Sequence, residues 1–231
     1  MCILIIMLKI AHRGSTLATI TDDRYNYNYH KFPENSLLAY INAIEQKFDM
    51  VEANVILTKD EKLIMFHDQY IGSTPVNSLT HLEIKKKFKH VITFDVFCSE
   101  ILSKINVLLD IKGDNNTVFK LIDFFKDNDL DLSRFYFSSF NRNHLLALCN
   151  YNKKLKLGLI YDGVLLDIEK EFIISMLKIS FVSICWKDLY DNEIKFYNKK
   201  NIPIFAWTNI NHITRRAIPT NIDGLITDYY F

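Results

Sequence analysis

Eight short apolar runs, at about 4–11, 50–56, 106–111, 134–138, 156–160, 181–184, 202–206 and 222–226, alternate with amphipathic stretches and constrain this chain more than any other feature. They are rich in Ile, Val, Leu and Phe, the signature of parallel strands buried on both faces. Between the first two lies a helix candidate from Asn35 to Lys47, with Leu37, Leu38, Ile41 and Ile44 at helical spacing. Pro33 opens it, and Asn35 or Ser36 supplies a cap. Further helix candidates fall at about 116–127, 141–150, 167–177, 190–200 and 211–218. Eight strands with helices between them predict an α/β protein of (β/α)8 TIM-barrel architecture. With 231 residues and no Gly/Ser/Pro-rich linker, residues 1–231 are expected to form a single barrel domain. The rival, an open doubly wound sheet, usually carries a Gly-rich phosphate turn, which is missing here.

Composition removes several classes of function. Hydrophobic residues at 49% and charged residues at 24% exclude a disordered chain. A formal net charge of +1 gives no field of the size that nucleic-acid binding needs. Cys2, Cys98, Cys149 and Cys185 form no CxxC pair, which argues against a thiolate zinc site or a disulfide scaffold. The apolar opening from Met1 to Leu8 stops at Lys9, well short of the roughly 20 residues that cross a bilayer. It also lacks the basic start and small-residue cleavage site of a signal peptide. The expectation is a soluble, cytoplasmic protein with no transmembrane segment. The run Lys85-Lys86-Lys87 reads as a solvated face, with peripheral contact to an anionic membrane as the second reading.

In a barrel of this kind the chemistry sits on the loops after the strand ends. Strand 1 ends in Ala11-His12-Arg13-Gly14. Strand 2 carries Glu52 and Asn54 on one face; after a turn at Thr58-Lys59-Asp60, a short apolar run delivers His67-Asp68. Strand 3 ends with Asp110 and Lys112 on one face. Carboxylate and amide oxygens suit Mg²⁺ or Ca²⁺ rather than zinc. Arg13 and Lys112 suit a phosphate, the one as a planar fork and the other as a point charge. Two histidines beside such a cluster can act as base and acid on opposite sides of phosphorus. That combination points to phosphodiester cleavage.

Along nearly its whole length the chain resembles the glycerophosphodiester phosphodiesterase family, within the phosphatidylinositol-phospholipase-C-like phosphodiesterases. The resemblance rests on His12-Arg13-Gly14, Pro33-Glu34-Asn35-Ser36, Glu52-Ala53-Asn54-Val55, Thr58-Lys59-Asp60, His67-Asp68 and Asp110-Ile111-Lys112. It continues through Ser139-Phe140, Trp207-Thr208-Asn209 and Asp223-Gly224-Leu225-Ile226-Thr227-Asp228. It implies that His12 and His67 are the catalytic pair, that Glu52, Asn54 and Asp110 hold one divalent cation, Mg²⁺ or Ca²⁺, and that Arg13 and Lys112 face the phosphate. The implied reaction releases glycerol phosphate and an alcohol through a cyclic phosphate. The implied partner is a small glycerophosphodiester. Two alternatives remain open: a phosphodiesterase acting on lysophospholipids, and a catalytically weakened or inactive barrel that binds phosphodiesters or phospholipids.

Two departures from the family pattern bear on the site. Asn54 replaces an aspartate and Asp110 replaces a glutamate, so the ionised ligands supply about −2 where the pattern supplies about −3. Weaker metal binding is expected, by about tenfold or more, which is about 1.4 kcal/mol. The connection between Gly14 and Pro33 is also long, and its Tyr25, Asn26, Tyr27, Asn28 and Tyr29 are expected to form a lid or rim that shapes head-group choice.

The remaining candidates read as supporting residues. Glu34 and Asn35 are expected to fix the first helix beside His12, and Asp68 to orient His67. Trp207 is a candidate substrate contact, with core packing as the equal alternative. Ser139 lacks a GxSxG setting and reads as a cap for the helix near Asn141. His30, His81, His90, His144 and His212 read as surface residues.

Overall fold

From its amino terminus the chain runs β1 (Leu8–Ala11), α1 (Leu37–Glu45), β2 (Met50–Leu57), β3 (Leu63–Met65), β4 (Tyr70–Ile71) and β5 (Thr74–Pro75). It continues with α2 (His81–Lys87), α3 (Phe94–Ile101), β6 (Asn106–Ile111), α4 (Asn115–Asp127), β7 (Phe135–Ser139), α5 (Arg142–Tyr151) and β8 (Lys156–Tyr161). It ends with α6 (Asp167–Leu177), β9 (Phe181–Cys185), α7 (Asp191–Lys199), β10 (Ile204–Asn209), α8 (His212–Ala217) and β11 (Gly224–Thr227). The structure, a computed structural model, describes residues 7–17, 31–210 and 212–228. Residues 4–6 of the first predicted strand, the stretch Tyr25 to Tyr29 and His30 lie outside the described residues.

Strands β1, β2, β6, β7, β8, β9, β10 and β11 pair in parallel in that order, and β11 returns to pair with β1. The sheet is therefore a closed (β/α)8 barrel, as the alternation of apolar runs predicts. Each predicted strand corresponds to one barrel strand. Helix α1 begins where the sequence places it: the Ser36 hydroxyl accepts the Ala39 N–H at 3.1 Å and satisfies an otherwise orphaned donor. Among the described residues no helix is long and apolar enough to cross a membrane.

Closing the barrel splits the apolar side chains into two layers. Outward-facing Val51, Ala53, Val55, Val107, Leu109 and Ile111 pack under the helices in the large core. Inward-facing Ile10, Met50, Leu108, Phe181, Phe205 and Ile226 form a smaller plug in the barrel interior. Residues two positions further along β1, β2 and β6, namely His12, Glu52, Asn54 and Asp110, continue the inward face toward the mouth. The register sets Asn54 opposite Asp110 and Asp110 opposite Ser138. The plug is thus the floor on which the polar groups stand.

The segment between β2 and β6 holds what the sequence pattern left unassigned. Strand β3 folds back antiparallel on β2, pairing Val55 with Met65 and Leu57 with Leu63, which turns His67 toward the mouth. The hairpin β4–β5 and helices α2 and α3 then cover this side, with Ile56, Ile64, Phe66, Val76, Ile84 and Val91 as a small separate core.

Candidate active site

His12, Arg13, Glu52, Asn54, His67, Asp110, Lys112 and Trp207 all line one cavity of about 480 Å³ at the mouth formed by the strand ends. The wall opposite the charged cluster comes from Ser138, Phe140, Ile160, Ser183, Thr208 and Ile226. Every side chain that the sequence singled out for chemistry therefore reaches one space.

Both histidines are oriented by carboxylates. His12 Nδ1 lies 2.7 Å from Asp228 Oδ1, and His67 Nδ1 lies 2.7 Å from Asp68 Oδ1. An ionised carboxylate only accepts, so Nδ1 carries the proton in each neutral ring and Nε2 is left for chemistry. Burial is the largest influence on His67 and lowers its pKa below the usual imidazole value. The charges of Arg13 and Lys112 push the same way, against the opposing pull of Asp68. His67 is thus held neutral. The Asp68 contact is the one expected from sequence. Asp228 has no such forecast, although its place one residue beyond β11, beside the end of β1, puts it next to His12 by barrel closure.

The oxygen cluster is built from backbone as much as from side chains. Glu52 Oε2 accepts the Arg13 N–H at 2.7 Å, and the Glu52 carbonyl accepts the Gly14 N–H at 3.1 Å. Gly14 sits at φ +78°, and a Cβ there would lie 2.8 Å from the Ala39 carbonyl carbon, so only glycine lets the His12 loop pack against α1. Asn35 orients Asn54: its Oδ1 accepts the Asn54 backbone N–H at 3.0 Å, the Asn54 Nδ2–H at 3.4 Å and the Tyr40 hydroxyl at 2.8 Å. Asn35 is therefore a structural support, as expected, but it acts on Asn54 as well as on the first helix.

Asp110 Oδ2 pairs with Lys112 Nζ at 2.6 Å, with both side chains largely buried. Burial nonetheless raises the Asp110 pKa to about 6, with Lys112 opposing the rise. Arg13 Nη1 donates to Glu34 Oε2 at 2.7 Å, so Glu34 holds the guanidinium at the rim. Trp207 borders the cavity edge-on to Phe140, with ring centroids 5.8 Å apart. The arrangement serves both of its readings, as a wall and as packing.

Two buried oxygens have no hydrogen-bond partner, Asn54 Oδ1 and Asp110 Oδ1. Leaving two acceptors unpaired in a buried cluster is costly unless a cation meets them. With Glu52 they form a hard oxygen donor set that fits Mg²⁺ or Ca²⁺. Among the described residues no group of three or more His, Cys, Asp or Glu side chains gathers as a metal site, because the third donor here is an amide.

The structure corrects one assignment outright. His144 is not a surface residue: it is 0% exposed in the first turn of α5, with its Nδ1 3.0 Å from Ser139 Oγ. Its polar neighbours in sequence belong to the outer face of α5, and the ring turns inward. His81 and His90 are half-buried. Ser139 accepts the Asn141 N–H at 3.1 Å, while Asn141 itself caps α5 through Asn143 N–H.

Paired acid/base rings, two cations and unpaired hard oxygens at one barrel mouth are the equipment of a phosphoric diester hydrolase. The sequence profile of the glycerophosphoryl diester phosphodiesterase family matches residues 27–230. A glycerophosphodiester phosphodiesterase of Caldanaerobacter subterraneus subsp. tengcongensis is 25% identical over 243 residues, spanning 96% of this chain and 93% of its own. An Oleispira antarctica phosphodiesterase solved with the product sn-glycerol-3-phosphate superposes with a TM-score of 0.79 at 17% identity, covering 96% of this chain and 93% of that one. A Thermotoga maritima glycerophosphodiester phosphodiesterase superposes with a TM-score of 0.74 at 23% identity, covering 96% and 94%. The chain belongs to the glycerophosphoryl diester phosphodiesterase family.

Proposed function

We propose that this protein hydrolyses small glycerophosphodiesters to glycerol phosphate and an alcohol, with His67 as the first base, His12 as the first acid and a divalent cation on Glu52, Asn54 and Asp110. The observation that carries the reading is the convergence of both carboxylate-oriented imidazoles and the oxygen cluster on one cavity. Neutral His67 takes the proton of the glycerol 2-hydroxyl as that oxygen bonds to phosphorus. His12, protonated, gives its proton to the leaving alcohol as the P–O bond breaks. Water then opens the cyclic phosphate with the two roles exchanged, which returns both rings to their starting states. Lys112 and Arg13 supply positive charge for the phosphate oxygens. A bound Mg²⁺ or Ca²⁺ would add charge stabilisation at phosphate oxygens. The product-bound Oleispira relative supports the substrate class.

The test is a panel of glycerophosphodiesters and lysophospholipids assayed with and without chelator. Turnover of the small diesters should disappear on chelation and return with Mg²⁺ or Ca²⁺, and His12→Ala should lower kcat by about 10²–10⁴-fold. Asn54→Asp, which restores the missing charge, should tighten metal binding about tenfold. A chain that turns over nothing in either state is a binding barrel, and one that prefers lysophospholipids moves the substrate class.

A further inference from the structure

Lys112 projects from a turn that is tied down on both sides. Its own N–H donates to the Val55 carbonyl at 2.9 Å, and Asn77 Nδ2 donates to Asp114 Oδ2 at 3.2 Å. On the other side stands His144, with no solvent exposure. Its Nε2 lies 3.0 Å from the Asp114 carbonyl oxygen, which can only accept, so Nε2 bears the proton. Burial lowers the His144 pKa and keeps the ring neutral. Nδ1 is then an acceptor for the Ser139 hydroxyl at 3.0 Å, and that hydroxyl also lies 2.9 Å from the Ile111 carbonyl oxygen.

Ile111 and Asp114 flank Lys112 and Gly113, so the His144–Ser139 unit holds both ends of the turn. The next residue after Ser139, Phe140, places its ring 5.4 Å from the Lys112 ammonium. A buried imidazole is an expensive way to fill the inner face of a helix that leucine would fill better. It is economical where two backbone oxygens at a site need fixed partners.

We propose that His144 is a positioning residue for Lys112, holding the Ile111–Asp114 turn so that the ammonium meets the substrate phosphate. The inference rests on the phosphate role given to Lys112 above. A displacement of about 1 Å at a charge that binds phosphate can cost up to about 10²-fold in rate. No atom of His144 meets the substrate itself.

The experiment measures kcat and KM for a small glycerophosphodiester, with Tm recorded in parallel. The variants are His144→Leu, His144→Gln and Lys112→Met, with His144→Leu also placed in the Lys112→Met background. His144→Leu should raise KM about tenfold and lower kcat/KM by about 10–100-fold. His144→Gln, whose amide N–H can reach the Asp114 carbonyl, should regain most of the loss. In the Lys112→Met background, His144→Leu should change kcat/KM by less than about twofold, since the two act as one unit. Should His144→Leu not fold, Ser139→Ala removes only the hydroxyl link and must show a smaller loss with the same non-additivity.

Full additivity of either variant with Lys112→Met overturns the inference alone. So does a His144→Leu enzyme that loses Tm but keeps its kcat/KM. A Lys112→Met enzyme as active as the parent overturns the phosphate role of Lys112 and the inference with it.

Discussion

His12 and His67 share a device that fixes the proton on Nδ1, yet their surroundings differ. The Asp228 carboxylate stands on the last strand and reaches back to the first; Asp68 is the sequence neighbour of His67. Replacing Asp228 with Asn leaves the shape but lets the amide N–H face Nδ1, which favours the wrong tautomer. Asp228→Asn should lower kcat by about 10–100-fold with KM little changed, as measured by steady-state kinetics. The pH profile tests the other ring. The acidic limb of kcat/KM reports the base in the free enzyme. Burial and the charges of Arg13 and Lys112 lower His67, so that limb should turn below pH 6.5, the ordinary imidazole value being about 6.5. Removing a cation makes imidazolium easier to form, so Lys112→Met should move the limb to higher pH. A limb that stays put, or moves down, contradicts the base role. At this scale sequence was a good guide wherever a residue sat at a strand end with its partner nearby in sequence. Asp228 lay hidden because its partner is 216 positions away, and His144 because a lone polar residue among Asn141, Arg142 and Asn143 gives no sign of which way it turns.

At the scale of elements, period was the guide and length the limit. Barrel strands buried on both faces announce themselves as apolar runs, and all eight were legible. Helices α2 and α3 were not assigned, although signals exist: Thr80 and Glu83 form a capping box, and Phe94, Phe97, Cys98 and Ile101 fall at helical spacing. Each is too short for its period to stand out against the surrounding polar chain. The outer helices hold a second surprise, a charge pair where amphipathic pattern predicts apolar contact. Lys170 on α6 meets Glu193 on α7 at 2.6 Å with both side chains buried, and the Tyr161 hydroxyl donates to the same carboxylate. Burial raises the Tyr161 pKa and keeps that phenol a donor. Removing one partner strands a buried charge, so Lys170→Met should cost about 3–5 kcal/mol in urea unfolding. Combining it with Glu193→Leu should recover much of the loss. Because this pair joins β8, α6 and α7, away from the charged half of the site, kcat/KM per folded molecule should stay at the parent level.

The whole molecule depends on filling the barrel interior without filling its mouth. Ile10, Met50, Leu108, Phe181, Phe205 and Ile226 plug the lower part, and Leu108 and Ile226 also face the cavity above. The Phe181 and Phe205 rings lie 5.0 Å apart and occupy the space that neighbouring strands leave by carrying glycine at Gly158 and Gly224. A Cβ at Gly158 would overlap the Phe181 ring. Large rings on some strands and no side chain on others let the plug close at a depth that keeps the mouth open for substrate. Gly158→Ala forces the ring to move, which should cost about 1–3 kcal/mol. For a chain of this size that is a Tm drop of about 2–12 °C. The displaced ring pushes on Leu108 and Ile226, so KM for a glycerophosphodiester should rise in the same variant. Trimming the ring in Gly158→Ala/Phe181→Leu should restore both quantities together. If the second substitution recovers Tm but leaves KM high, floor and site are independent; if it worsens both, the ring fills its place for reasons other than the space at Gly158.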